Sequence, residues 1–376
     1  MFNKSVRELL IENKDSAPGF DALRLCLATL ILFWHSFYVC YPEDSSLYIR
    51  TWTHPLVKPI LRMLLPMFFF LSGFLVSTSA FRLRSASTFL LYRVFRIFPA
   101  LLVEVFISAV VLGGMVTTFS SRRYYGSEYF LKYFRNIIGD VQFFLPGVFQ
   151  YHPCVIVNVN LWTLPGEYYC YAIMVGLMLT GVLFNRRWFL IAFSLGSVVV
   201  SGLLLTTWTW GDAGVLFVRP PLLVCSFFLG VFCFIYSDKI RLMKSLFALS
   251  VVGLGFFDWK YTTVLGILCA CYLCLCIGFM DLRKCPLVKR GDYSYGIYLY
   301  GFPIEQTVWH FLPIAHEWWV LFLIAFPITL GFSMVSWRLV EQPFLKLKRH
   351  LQKLPFFASP GLFGPGLFRP SGPVKE

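Results

Sequence analysis

Two ionisable side chains, Arg24 and His35, stand inside the apolar run FDALRLCLATLILFWHSFYV from Phe20 to Val39. Eleven residues at 100° each return to within about 20° of the starting direction, so in a helix both share one face, about 16 Å apart. Asp21 falls near the same stripe. Titratable groups are costly in hydrocarbon and normally face a polar interior, so the stripe reads as a functional pathway. A second run, NVNLWTLPGEYYCYAI from Asn158 to Ile173, carries Glu167. If both runs are membrane spans, His35 and Glu167 each lie about 8–10 Å below the outer boundary. A carboxylate at imidazole depth suits a base couple in which Glu167 fixes the tautomer and His35 takes a proton; the alternatives are a helix-capping carboxylate or a pair with Arg219.

Phosphate chemistry is suggested elsewhere. LLYRVFRIFPALLVE from Leu90 to Glu104 sets Arg93 and Arg96 three residues apart, one turn before Pro99. Two guanidiniums on adjacent turns suit charge-assisted, often bidentate bonds to phosphate. Glu104 lies about 20° off the Arg93 face and is expected to meet a positive group. Ser72 and Gly73 permit close helix contact, and Ser72 could donate a hydrogen bond to an oxyanion. Tyr295 and Tyr298 are candidates for a cavity wall.

The elements that position these residues are membrane helices. Of 376 residues, 58% are hydrophobic and 14% charged, and apolar runs of about 20 residues recur. The expected fold is all-α, a polytopic membrane protein with a bundle of about ten transmembrane helices and both termini cytoplasmic. The spans fall near 20–40, 60–80, 97–118, 161–184, 188–206, 214–236, 245–257, 261–280, 292–312 and 317–337, the seventh being short. Orientation follows from Lys and Arg, which concentrate in the loops that this count places inside, including the cluster Arg283, Lys284, Lys289 and Arg290. The net charge of +14 is therefore topology signal and attraction to lipid headgroups, and no motif points to a nucleic-acid partner. Residues 1–19 form an N-terminal cytoplasmic segment, 20–350 the membrane domain, and the Pro/Gly-rich stretch 351–376 a disordered tail. The first span carries Arg and His and has no small-residue cleavage site, unlike a signal peptide.

Of eleven cysteines, the four from Cys269 to Cys276 sit in an apolar run without His or carboxylate, and small hydrophobic packing is expected there rather than a metal. Cys40 and Cys154 are the pair expected at the oxidising side, where a disulfide is one alternative. The segment from Thr118 to Asn160, external in this topology, is rich in aromatics. It suits either stacking on sugar rings or an interfacial helix on headgroups.

Seven motifs then fall in order: Arg24-x10-His35; FFFLSGFLVS from Phe68 to Ser77; YRVFRIFPALL with Arg93 and Arg96; NLWTLPGEYY with Glu167; RPPLLVCSFFLG from Arg219 to Gly230; GDYSYGIYLYGFP from Gly291 to Pro303; and WRLVEQPF from Trp337 to Phe344. Together the chain resembles the acyltransferase-three family of integral membrane proteins from Phe20 to about Lys348. The resemblance implies transfer of an acyl group, most often acetyl from acetyl-CoA and without a metal, to a glycan or lipid-linked saccharide acceptor. Localisation would be the inner membrane if the source is bacterial. It places the donor nucleotide on Arg93 and Arg96 with Arg24 along the way, His35 and Glu167 at the reacting end, and Ser72, Arg219 and Tyr295 among further contacts. Pro165 and Gly166 depart from the family pattern, and no esterase-like domain follows the last span. A rival reading is a transporter or flippase, since buried charges also line substrate pathways.

Overall fold

The computed structural model describes residues 1–14, 16–41, 45–54, 57–206, 219–256, 259–282 and 291–351. Among them the protein is all-helical, with no strand beyond an isolated Ser5–Arg241 bridge. A helix stands at each of the ten expected positions: Phe20–Cys40, Val57–Leu83, Ala86–Phe106 with its continuation to Val116, Leu164–Leu179, Arg186–Thr206, Pro220–Ile235, Lys244–Phe256, Trp259–Gly278, Ser294–Phe311 and Trp318–Ser336. Four of the described helices, Phe20–Cys40, Val57–Leu83, Ala86–Val116 and Trp318–Leu347, are long and apolar enough to cross a membrane. The Arg283 to Arg290 cluster and the Pro/Gly-rich tail beyond Leu351 lie outside the described residues.

The third helix corrects one expectation. It begins at Ala86 rather than near residue 97, so Arg93 and Arg96 sit two and three turns inside it, not in front of it. Its start is set by Ser85, whose side chain accepts from Thr88 N–H and satisfies one of the orphan donors of the first turn. Pro99 is held in the helix interior instead of opening it.

Close packing organises the core. A Cβ on Gly73 would sit 1.9 Å from the Phe227 carbonyl oxygen, and one on Gly230 would sit 2.2 Å from that of Phe70. The helices Val57–Leu83 and Pro220–Ile235 therefore meet backbone to backbone through reciprocal glycines, as the Ser72–Gly73 pair suggested. The helix Phe20–Cys40 packs against Ser294–Phe311, Trp318–Ser336 and Val57–Leu83. Arg24 meets Asp292 and Ser36 meets Glu305. Residue numbers rise together along both helices, so the two run parallel.

The aromatic segment after Val116 is partly folded into the core. A π-helical turn from Ile107 to Leu112 disturbs the regular carbonyl ladder, and the Tyr124 and Tyr125 hydroxyls donate to Ala109 O at 2.6 Å and Val110 O at 3.0 Å. They fit because Gly113 and Gly114 lack side chains: a Cβ there would lie 1.9 and 2.1 Å from those hydroxyl oxygens. Tyr124, Tyr133 and Phe149 are buried, whereas Tyr129, Phe144 and Tyr151 are exposed. Cys40 and Cys154 share one small apolar cluster as buried thiols rather than a disulfide. Cys271, Cys274 and Cys276 pack into the main core.

Candidate active site

The helix Ser294–Phe311 is the spine of the site. Tyr295, Tyr298, Phe302 and Glu305 recur at three- and four-residue spacing and so share one face. Pro303 has no N–H to offer the Leu299 carbonyl one turn back, and Asn158 Nδ2 donates to that carbonyl at 3.0 Å. Asn160 Nδ2 donates to the Tyr298 carbonyl at 2.5 Å. The NVNLW motif thereby clamps the spine where its own hydrogen bonding is weakened. Leu164–Leu179 starts directly after a 3₁₀ turn over Val159–Thr163. Pro165 falls in its first turn, where a missing N–H costs little, so this departure from the family pattern is well placed.

At one end of the spine lies a four-residue ion network. Asp292 Oδ2 accepts from Arg24 Nη1 at 2.8 Å and Arg96 Nη2 at 2.6 Å, and Arg96 Nη1 reaches Glu341 Oε2 at 2.8 Å. Glu341 closes a second π-helical turn, Trp337–Glu341, and is buried. Its charge and that of Asp292 balance the two arginines. The Arg96 guanidinium also lies 5.5 Å from the Tyr295 ring and 5.8 Å from the Trp337 ring.

Beyond Tyr295 opens a small cavity. Its polar lining is Ser72, Asn160, Thr163, Glu167, Tyr295 and Tyr298, and its apolar lining Leu65, Phe68, Phe69, Leu161, Leu164 and Leu299. Thr163 Oγ1 and the Tyr298 hydroxyl are 2.8 Å apart. Glu167 accepts a hydrogen bond from Tyr171, and Arg93 lies 5.9 Å from the Tyr171 ring. Arg93 Nε is buried without a hydrogen-bond partner. Arg93, Arg96 and Glu167 thus belong to one polar cluster within the bundle.

His35 stands one helical turn further along the spine. Its ring meets Phe302 edge-on, with centroids 5.3 Å apart. Nδ1 is buried without a partner. Among the described residues no hydrogen bond or ion pair joins His35 to Glu167. Arg219 immediately precedes the helix Pro220–Ile235, away from the described cavity lining. Glu104, expected to meet a positive group, accepts from Ser108 at 2.7 Å and Asn158 at 2.8 Å instead.

The structure therefore gathers Ser72, Glu167 and Tyr295 around one cavity and ties Arg24 to Arg96 through Asp292, while His35 packs on Phe302 outside that lining. Sequence reasoning gave no role to Asp292, Glu341, Asn160 or Tyr171. Asp292 and Glu341 had one available signal: each is an acidic residue in a motif already noted, GDYSYG and WRLVEQPF, beside an apolar run that would otherwise leave it unpaired.

The family model described as an acyltransferase domain matches residues 18–338, and the chain belongs to that acyltransferase-three family. It is 29% identical over 349 residues to an "O-acetyl transferase" of Shigella phage Sf6, covering 87% of this chain and 95% of the relative. It is 27% identical over 368 residues to "Nodulation protein 10" of Rhizobium leguminosarum bv. viciae, covering 89% and 94% respectively. No solved structure matches the chain significantly. The protein is thus a membrane acyltransferase by family.

Proposed function

We propose that this protein moves an acetyl group from cytoplasmic acetyl-CoA to a hydroxyl of an extracytoplasmic or lipid-linked glycan. The observation that carries the reading is a set of half-buried arginines, Arg24, Arg93 and Arg96, within the same bundle as a mostly apolar cavity that has the Glu167 carboxylate in its wall. A donor with a phosphate-rich head and a thin pantetheine arm has that distribution of charge. Arg93, with its unpartnered Nε, is the guanidinium best placed to grip phosphate, while Arg24 and Arg96 come with their own counter-ions. The orientation that fits has both termini and the donor head cytoplasmic, with the segment between Thr118 and Asn160 on the acceptor side of the inner membrane.

In the reaction His35 Nε2 takes the proton of the acceptor hydroxyl as its oxygen attacks the thioester carbonyl. The C–S bond breaks, the acetyl ester forms, and the proton leaves with the CoA thiol. Glu167 offers acceptor hydroxyls a carboxylate, held in place by Tyr171. Ser72, in the same wall, donates to the developing oxyanion. A cell deleted for the gene should lose acetyl mass increments from its surface glycans, regain them with the wild-type gene and fail to regain them with His35→Ala. Unchanged glycans, or rescue by His35→Ala, would reject the reading.

A further inference from the structure

Glu305 is fully buried on the spine helix, yet no cation reaches it among the described residues. Its Oε1 accepts from Ser36 Oγ at 2.5 Å, and its Oε2 is buried with no hydrogen-bond partner. A carboxylate left half-satisfied in a protein interior is expensive, and packing alone gives no reason for it. Glu305 acts electrostatically on the Cys40 thiol, which also feels Glu317.

The complementary atom lies next door. Ser36 follows His35 in the chain, and Phe302, which touches the His35 ring, lies one turn before Glu305 on the same helix face. His35 Nδ1 is likewise buried and unpartnered. Two parallel, packed helices therefore present an imidazole nitrogen and a carboxylate oxygen, each lacking its partner, within one turn of each other.

We propose that Glu305 is the acidic positioning residue of His35, joined to Nδ1 through one bridging water. A single buried water can satisfy two such groups at little cost beyond its own ordering. The bridge keeps the proton on Nδ1 and the lone pair on Nε2. As Nε2 takes the acceptor's proton, Nδ1–H donates toward Oε2, whose negative charge offsets the imidazolium. Ser36 holds the carboxylate in place. The inference rests on the reading of His35 as base, and it gives the base a partner other than Glu167.

The test reads His35 directly. In full-length protein in nanodiscs, the rate of diethyl pyrocarbonate modification of His35, followed by peptide mass spectrometry across pH, reports the fraction of neutral imidazole. Glu305→Gln keeps the shape and removes the charge, so His35 should become neutral at lower pH, and kcat should fall about 10- to 100-fold with KM for acetyl-CoA unchanged. Glu305→Asp should restore part of both. Ser36→Ala, which loosens the carboxylate without removing it, should move the titration in the same direction by less, and it serves if Glu305→Gln does not fold. An unchanged His35 titration in folded Glu305→Gln and Ser36→Ala would overturn the proposal. A shifted titration with kcat intact would support the pairing and reject His35 as the base.

Discussion

Asp292→Asn tests the ion network that ties the first span to the spine. In the native cluster the charges of Arg24, Arg96, Asp292 and Glu341 sum to zero; the substitution leaves +1, with two guanidiniums sharing a neutral amide. Removing one partner of a fully buried pair costs about 3–5 kcal/mol. Asp292, Arg24 and Arg96 keep 23%, 19% and 17% of their side-chain surface, so partial screening brings the expected loss to about 2–4 kcal/mol. Arg24→Gln alone leaves Asp292 with Arg96 and should cost about 1–2 kcal/mol, because one contact survives. The double variant restores neutrality, with Arg96 facing Glu341, and should be more stable than Asp292→Asn by itself. Such coupling is the signature of a shared network. The assay is the thermal midpoint of purified protein in one detergent, read as a ranking of the four proteins because membrane proteins often unfold irreversibly. If Arg24→Gln/Asp292→Asn melts at or below Asp292→Asn, the two residues do not share the charge balance drawn here.

Gly230→Ala should destabilise strongly, by about 1–3 kcal/mol or more, since its Cβ would press on the Phe70 carbonyl; a melting midpoint like wild type would contradict the backbone contact. His152, between the third and fourth helices, donates from Nδ1 to Gln306 Oε1 at 2.9 Å and faces His310 Nδ1 through Nε2 at 2.9 Å. Burial above all, and then the nearby His310 and His316, push its pKa from 6.5 down to about 4. The fold then holds fewer protons than the unfolded chain between those values, so its stability is complete above pH 6.5 and declines as pH falls toward 4, by at most about 3 kcal/mol. His152→Asn should show less loss of melting temperature than wild type between pH 7 and pH 4.5, and equal losses would remove His152 as the cause. Arg93→Ala should chiefly raise KM for acetyl-CoA, with Lys at that position restoring only part because it loses the planar fork; a fall in kcat at constant KM would place Arg93 at the reacting centre instead.

Local periodicity carried much of this arrangement into the sequence. The Arg24–His35 stripe follows from helical geometry, and its direction matches the spine it packs on, Arg24 at Asp292 and His35 at Phe302. The Ser72–Gly73 contact was equally local. What the sequence hid were partnerships between distant residues: Asp292 lies 268 positions from Arg24, and Glu341 lies 245 from Arg96. No spacing rule links such pairs. Within the aromatic segment the sequence could not tell which tyrosines face outward, since one at a membrane surface and one donating to a carbonyl in a π-helical turn look alike until the turn is seen. Pro99 marked the third helix too late because proline favours a first turn, but Ser85 capped the chain earlier.

The central claim, acetyl transfer within the membrane domain with His35 as its base, is tested most directly by giving purified protein in nanodiscs isotope-labelled acetyl-CoA and a saccharide acceptor prepared from its own host. The account predicts that wild type releases CoA thiol and moves the label to the acceptor, while His35→Ala binds acetyl-CoA with near-native affinity and transfers nothing. Wild-type protein that neither binds nor consumes acetyl-CoA, or His35→Ala that transfers the label at the wild-type rate, would contradict it.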